Sequence, residues 1–344
     1  MNIYGLTIEE MEEYFLSLGS KAFHAKQLFS WLYEKRIEDY KDITDIKKDL
    51  VEVISKEYSI DRLKIVDVQE DVDVNKYLFE LSDGEHIEAV LMRHDYGNSV
   101  CVSSQVGCNM GCKFCESGRR KKVRNLEVHE MVLQILMIEK ELGERISHVV
   151  VMGIGEPFDN YDNLIKFLKI INHPKGLAIG ARHITVSTCG IVPKIKEFSE
   201  LDLQFNLAIS FHFPNDDLRS KIMPINKAYP LSVLMPALRE YVDKTNRRLT
   251  FEYILLKDIN DSEKHALELA ELVKGLNCYI NLIPYNETNN IEFKRSNTIQ
   301  IMKFYDILKK NKVNVTIRKE FGSKISAACG QLRSKKEELW DHFI

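Results

Sequence analysis

Apolar positions in the first 60 residues recur at helical spacing. Met11, Tyr14, Phe15 and Leu18 mark one amphipathic helix, and Phe23, Leu28, Phe29, Leu32 and Tyr33 mark a second, with Gly19 and Ser20 punctuating between them. Ile46, Leu50, Val53 and Ile54 predict a third between Asp45 and Tyr58. The reading then turns to strands: LKIVDVQE, KYLFELSDG and HIEAVLMR, with Asp83-Gly84 as a hairpin turn. From Ser99 onward, short β-rich runs (SVCVSSQ, SHVVVMG, RHITVST, LQFNLAIS, RLTFEYIL, CYINLIP and VNVTIR) alternate with amphipathic stretches such as that of Val128, Met131, Val132, Ile135 and Leu142. Repeated strand–helix units predict a parallel sheet with crossover helices. Six or seven units fall short of the eight of a closed barrel. The expected architecture is therefore α/β: a partial (β/α)6 barrel over 96–344, preceded by a small helical accessory domain over 1–60 and a β-rich linker or extension over 61–95.

Composition narrows the function classes. The 344 residues are 44% hydrophobic and 29% charged, enough for a buried core and too apolar for global disorder. Lys+Arg 48 against Asp+Glu 51 leaves −3, so a nucleic-acid partner would be held by a local basic patch. No apolar run approaches the roughly 18 residues of a membrane span. The start, MNIYGLTIEEMEEYF, lacks the basic n-region of a secretory signal, and a cytoplasmic protein without a membrane partner is expected. Seven cysteines, an odd number, argue against a disulfide scaffold and raise metal or redox use.

In a barrel of this kind the chemistry sits at the carboxyl ends of the strands. Cys108 follows the first barrel strand, Gly155-Glu156 the second, Ser187 the third, Ser210 to His212 the fourth and Asn286 the sixth. Cys108, Cys112 and Cys115 form C-x3-C-x2-C, and Gly107 and Gly111 let that loop fold tightly. A [4Fe-4S] cubane takes four ligands, so three thiolates leave one iron open to a substrate or cofactor. The alternative is a zinc loop completed by a histidine, although the spacing lacks the usual paired C-x2-C.

Phe114 before the last of these cysteines, and the Gly-Glu of VVVMGIGEP, resemble the radical S-adenosylmethionine (SAM) superfamily. CVSSQVGC, MGIGEP, STCGIVP, INLIPYN and AACGQL together resemble, over residues 5–332, the RlmN/Cfr family of RNA adenosine methyltransferases. The resemblance implies that Cys108, Cys112 and Cys115 hold the [4Fe-4S] cluster. It implies a SAM pocket lined by Gly155, Glu156, Ser187, Ser210, Phe211, His212 and Asn286. It also implies three catalytic groups: Cys329, methylated first by one SAM; Cys101, which releases the product by forming a transient disulfide with Cys329; and Glu88, the base that takes the ring proton. The implied substrate is an adenosine of 23S rRNA, with tRNA a further candidate and a flavodoxin or ferredoxin as electron donor.

Two stretches depart from the family pattern. After the cluster loop, Glu116 replaces a small residue and a second glycine is missing, leaving Arg119-Arg120-Lys121-Lys122 as a candidate RNA phosphate clamp or a solvated charged loop. Phe321 to Ser326 resembles the Cfr branch, whereas GARHITVSTCGIVPKIKE resembles the RlmN branch, and the balance favours adenine C2 over C8. Cys189 and Cys278 match no motif role and are read as structural. The competing readings are a radical SAM enzyme acting on another substrate, such as a peptide, and a non-catalytic zinc-containing RNA-binding protein.

Overall fold

Thr7 and Glu10 start the first helix by capping it reciprocally: Thr7 Oγ1 accepts from Glu10 N at 3.3 Å, and Glu10 Oε2 accepts from Thr7 N at 2.9 Å. In the computed structural model, which describes residues 1–287, 292–318, 325, 327 and 330–332, helices α1 (Ile8–Ser17), α2 (Phe23–Tyr33) and α3 (Lys48–Glu57) form the N-terminal unit. Met11, Phe15, Leu28, Phe29 and Leu32 are fully buried there, in a core continuous with that of the sheet.

Strands β1 (Lys64–Asp71), β2 (Val74–Glu80), β3 (His86–His94) and β4 (Gly97–Cys101) pair antiparallel in succession. Next, β5 (Gln105–Val106) and β6 (Arg124–Asn125) form a separate two-stranded ribbon that frames residues 107–123. The chain then alternates. Helix α4 (Val128–Leu142) leads to β7 (Ile146–Val151), α5 (Tyr161–Asn172) to β8 (Ile184–Thr188), and α6 (Val192–Ser199) to β9 (Asn206–Ser210). Helices α7 (Asp216–Ile222) and α8 (Leu231–Thr245) precede β10 (Leu249–Leu255), α9 (Glu263–Leu272) precedes β11 (Cys278–Pro284), and α10 (Thr298–Lys310) precedes β12 (Val315–Ile317).

The strand order β1-β2-β3-β4-β7-β8-β9-β10-β11-β12 adds each new strand at the same edge, with β4 and β7 to β12 parallel. Winding in one direction gathers every carboxyl end on one rim, which is what a barrel-type site requires. Among the described residues β1 and β12 remain the edges, so the barrel is partial, as the count of strand–helix units predicts. Arg36 binds Glu139 of α4 at 2.5 Å, and Glu139 also accepts from Ile146 N at 2.7 Å, tying the N-terminal unit to the start of β7. Among the described residues no helix is long and apolar enough to cross a membrane.

Candidate active site

The cysteine loop is shaped by its backbone. Gly107 has φ +73°, and a Cβ there would lie 2.3 Å from the Lys121 carbonyl oxygen, so no other residue fits without moving main chain. Cys108 N donates to Arg120 O (2.9 Å), Cys115 N to Cys112 O (3.1 Å) and Lys113 N to Ile222 O (3.1 Å), the last anchoring the loop to α7. All three cysteines line one cavity at the carboxyl rim. Burial pushes their thiols up, Cys108 to about 12, so a metal entering here must displace protons. Among the described residues no three His, Cys, Asp or Glu side chains converge tightly enough to clasp a single ion. Thiolates of a cubane bind different irons and stand further apart, so this donor set fits an iron–sulfur cluster better than zinc.

Gly155, Glu156, Ser187, Ser210 and His212 line the same cavity. Gly155 has φ +108°, and a Cβ there would meet Gln105 Cβ at 2.6 Å, so the backbone itself forms this part of the wall. Glu156 is buried, its oxygens accepting from Phe158 N (3.0 Å) and Cys189 N (2.8 Å). Burial raises its carboxyl and these two bonds pull against that shift. A carboxylate has about four lone-pair directions, so room remains for an ammonium. Ser187 Oγ and Ser210 Oγ stand 3.4 Å apart on adjacent strand ends. His212, at φ +59°, accepts from Ile254 N through Nδ1 at 3.1 Å, and burial together with the Arg219 charge pushes its pKa down to about 3. The ring is neutral at physiological pH.

Two residues expected in this pocket lie elsewhere. Phe211 packs edge-on against Phe251 in the barrel core (ring centroids 5.1 Å apart), and only its neighbours Ser210 and His212 reach the cavity. Asn286 sits just past β11, outside the cavity wall, buried and with Oδ1 lacking a hydrogen-bond partner among the described residues. Glu252 of β10, which sequence reasoning passed over, does line the cavity: Oε1 accepts from Asn281 at 3.0 Å, while Oε2, without a hydrogen bond among the described residues, faces Arg318 at 4.0 Å. A buried carboxylate with acceptor capacity to spare, in the cavity that the three thiols line, suits a pocket that takes a polar cofactor. The signal for Glu252 was an acid inside the apolar run RLTFEYIL.

Glu88 and Cys101 share one sheet face. Val90 of β3 pairs with both Lys76 of β2 and Cys101 of β4, which sets those three in a row, and Glu88 lies two residues along on the same side. Glu88 is 1% exposed and ion-paired to Lys76 at 3.2 Å, not the exposed strand acid that its alternating context suggests in isolation. Cys101 packs with Val90, Met92, Ala327 and Leu332. Cys329 and Ser326 lie outside the described residues. The flanking Gly330 and Leu332 line the cavity, held by Glu116 N to Gly330 O (2.9 Å) and Ser117 Oγ to Leu332 O (2.9 Å). No two of the six described cysteines are joined by a disulfide. Cys189 borders the cavity and Cys278 is buried in β11.

The basic run is mostly spent on internal pairs: Arg119 with Glu116 (3.4 Å), Arg120 with Glu85 (2.8 Å) and Lys122 with Asp159 (2.6 Å). Its positive field is thereby offset by acids from three other loop positions, which weakens the phosphate-clamp expectation.

A partial barrel whose first strand-end loop sets three thiols in a cavity at the carboxyl rim, with glycine backbone at the next strand end, defines a radical SAM enzyme. Residues 102–270 match the radical SAM superfamily, and residues 1–60 match the ribosomal RNA large subunit methyltransferase N-terminal domain. The chain is 54% identical over 341 residues to the probable dual-specificity RNA methyltransferase RlmN of Geobacillus kaustophilus, covering 98% of this chain and 93% of that relative. It is 50% identical over 336 residues to the protein of the same description from Acholeplasma laidlawii, covering 97% and 99%. The crystal structure of a radical SAM methyltransferase from Sphaerobacter thermophilus superposes with a TM-score of 0.91 at 41% identity, covering 97% of this chain and all of that one. This chain belongs to the RlmN family of radical SAM methyltransferases. Membership sets aside the peptide-modifying and zinc-module alternatives.

Proposed function

We propose that this protein methylates C2 of an adenosine in 23S rRNA through a methyl-cysteine relay, with tRNA as a second substrate and a flavodoxin or ferredoxin as electron donor. The chain is a SAM-dependent RNA methyltransferase with a [4Fe-4S] cluster, as its family is. The observation that carries the finer reading is the sheet face that Glu88 and Cys101 share, with Ala327 and Leu332, on either side of Cys329, in the apolar cluster against which Cys101 packs.

Cys108, Cys112 and Cys115 hold the cluster, and Gly155, Glu156, Ser187, Ser210 and His212 border the SAM site. When bound, cluster and SAM supply a radical that takes one hydrogen from a methyl group carried on Cys329. A hydrogen-bearing ring carbon is no nucleophile, so Cys329 as thiolate accepts that methyl from SAM first. Once the methylene carbon is bonded to the ring, the Cys101 thiolate attacks the Cys329 sulfur. The S–S bond forms as the sulfur–carbon bond breaks, the freed methylene carbon takes a proton to become the methyl group, and the unpaired electron left by the radical addition would return to the cluster. Glu88 accepts the ring proton, and Lys76 holds its carboxylate in place.

Cys101→Ala incubated with RNA and methyl-labelled SAM should accumulate protein cross-linked to RNA, while Cys329→Ala should form none. Normal turnover by Cys101→Ala would overturn the relay. Mass spectrometry of the adenosine made by the unaltered enzyme assigns the carbon; an 8-methyl product would overturn C2.

A further inference from the structure

Arg219 is fully buried on the short helix α7. Nη2 donates to Cys189 O (2.7 Å), Nε to Phe211 O (3.2 Å) and Nη1 to Asn226 Oδ1 (2.8 Å). Among the described residues no carboxylate hydrogen-bonds to it, and the nearest link to one runs through Asn226 Nδ2 to Asp216 Oδ1 at 2.8 Å. Carbonyls satisfy the guanidinium's donors without cancelling its charge. A buried cation without a directly bonded anion is costly, and such a group persists where it faces negative charge. That charge lies within reach. Lys113, between Cys112 and Cys115 in the metal loop, is hydrogen-bonded to Ile222 on α7, one turn from Arg219, and Cys189 packs in one apolar group with Cys112 and Cys115.

We infer that Arg219 sets the reduction potential of the cluster: its buried charge favours the reduced state and so eases delivery of the electron that the reaction consumes. Three thiolates around an oxidised cubane leave a net negative centre, and one added electron makes it more negative. The electron comes from a low-potential one-electron donor, which is oxidised by one electron, and Arg219 neither gains nor loses a proton. Net charge near the irons is one of the levers on such potentials. No local sequence signal marks the residue, because DDLRSKI reads as an exposed helix with an Asp–Arg pair three apart.

The inference rests on Cys108, Cys112 and Cys115 as cluster ligands, and its test separates the two. The full chain is reconstituted anaerobically, iron is counted, and the cluster is titrated with dithionite under EPR without SAM or RNA. Arg219→Gln with full iron should show a reduced-to-oxidised ratio about tenfold lower at the wild-type midpoint, a fall of about 59 mV for one electron. Arg219→Lys, which keeps the charge, should stay within about twofold of wild type. Should Arg219→Gln fail to load, Asp216→Asn removes the offsetting charge, keeps an acceptor for Leu231 N and should move the ratio upward. An unchanged midpoint in iron-replete Arg219→Gln, a fall in Arg219→Lys equal to that in Arg219→Gln, or an unmoved Asp216→Asn when Arg219→Gln does not load would overturn the role of Arg219. A wild-type chain that binds no cluster would instead overturn the ligand assignment.

Discussion

His212 makes stability depend on pH in a way that can be calculated. Its Nδ1 accepts from Ile254 N at 3.1 Å, so protonation would break that bond and set a second buried cation beside Arg219. The folded pKa, pushed down to about 3, lies far below the roughly 6.5 of an unfolded histidine. A depressed folded pKa gives stability that is present above the unfolded value and lost as pH falls toward the folded one. Between pH 7.5 and 5.5 the unfolded chain takes up most of one proton at this site and the folded chain almost none. The proton-binding factor of the unfolded state rises about tenfold, a loss of ~1.4 kcal/mol. The figure barely changes for any folded pKa below about 4.5, so it tests burial and the Ile254 bond rather than a finely tuned value. The measurement is anaerobic urea unfolding of the full chain at both pH values, for wild type and His212→Asn. Asparagine tolerates the +59° φ of this position. Wild type should lose ~1.4 kcal/mol more than the variant, a double difference in which the other titrating groups cancel. Equal losses would refute a neutral, buried His212.

Replacing Cys112 by alanine removes one of three thiols, and iron bound per chain should fall to background; wild-type iron would count against it as a ligand. Lys76→Met removes the buried ion pair to Glu88 and should destabilise the fold, visible as a lower urea midpoint, with Lys76→Met/Glu88→Gln recovering part of the loss.

The sequence carries some of these features openly and hides others for identifiable reasons. The seven apolar runs from Ser99 onward become β4 and β7 to β12, because parallel strands covered on both faces are written as nearly continuous apolar segments. Once those strands are placed, so are the loops, and Cys108, Gly155, Ser187 and Ser210 fall on one rim by topology alone. Pairing between distant charges has no comparable signature. Arg120 meets Glu85 across 35 positions and Lys122 meets Asp159 across 37, so the run between Arg119 and Lys122 reads as free positive charge until the fold closes. The ribbon of β5 and β6 has only two residues per strand, too few to show a period.

Residues 64–94 show most clearly what pattern alone cannot supply. They read as a linker with an ordinary hairpin, yet β2 is buried along nearly its whole length, because the antiparallel extension is covered on both faces. One of those faces looks onto Ala327 and Leu332, and there Lys76, Glu88 and Cys101 share a side. In the proposed reaction, cofactor-binding groups come from the carboxyl rim of the barrel, while the proton acceptor comes from the extension. The extension must therefore hold its register as strictly as the barrel does, since a slip of one residue between β3 and β4 would turn Glu88 away from Cys101. Leu78 opposite Glu88, Val90 opposite Cys101 and Ser103 Oγ donating to Glu88 O at 2.6 Å fix that register from both sides. The hydrophobic residues around Glu88 thus do more than bury it: they determine which face of the sheet its carboxylate occupies.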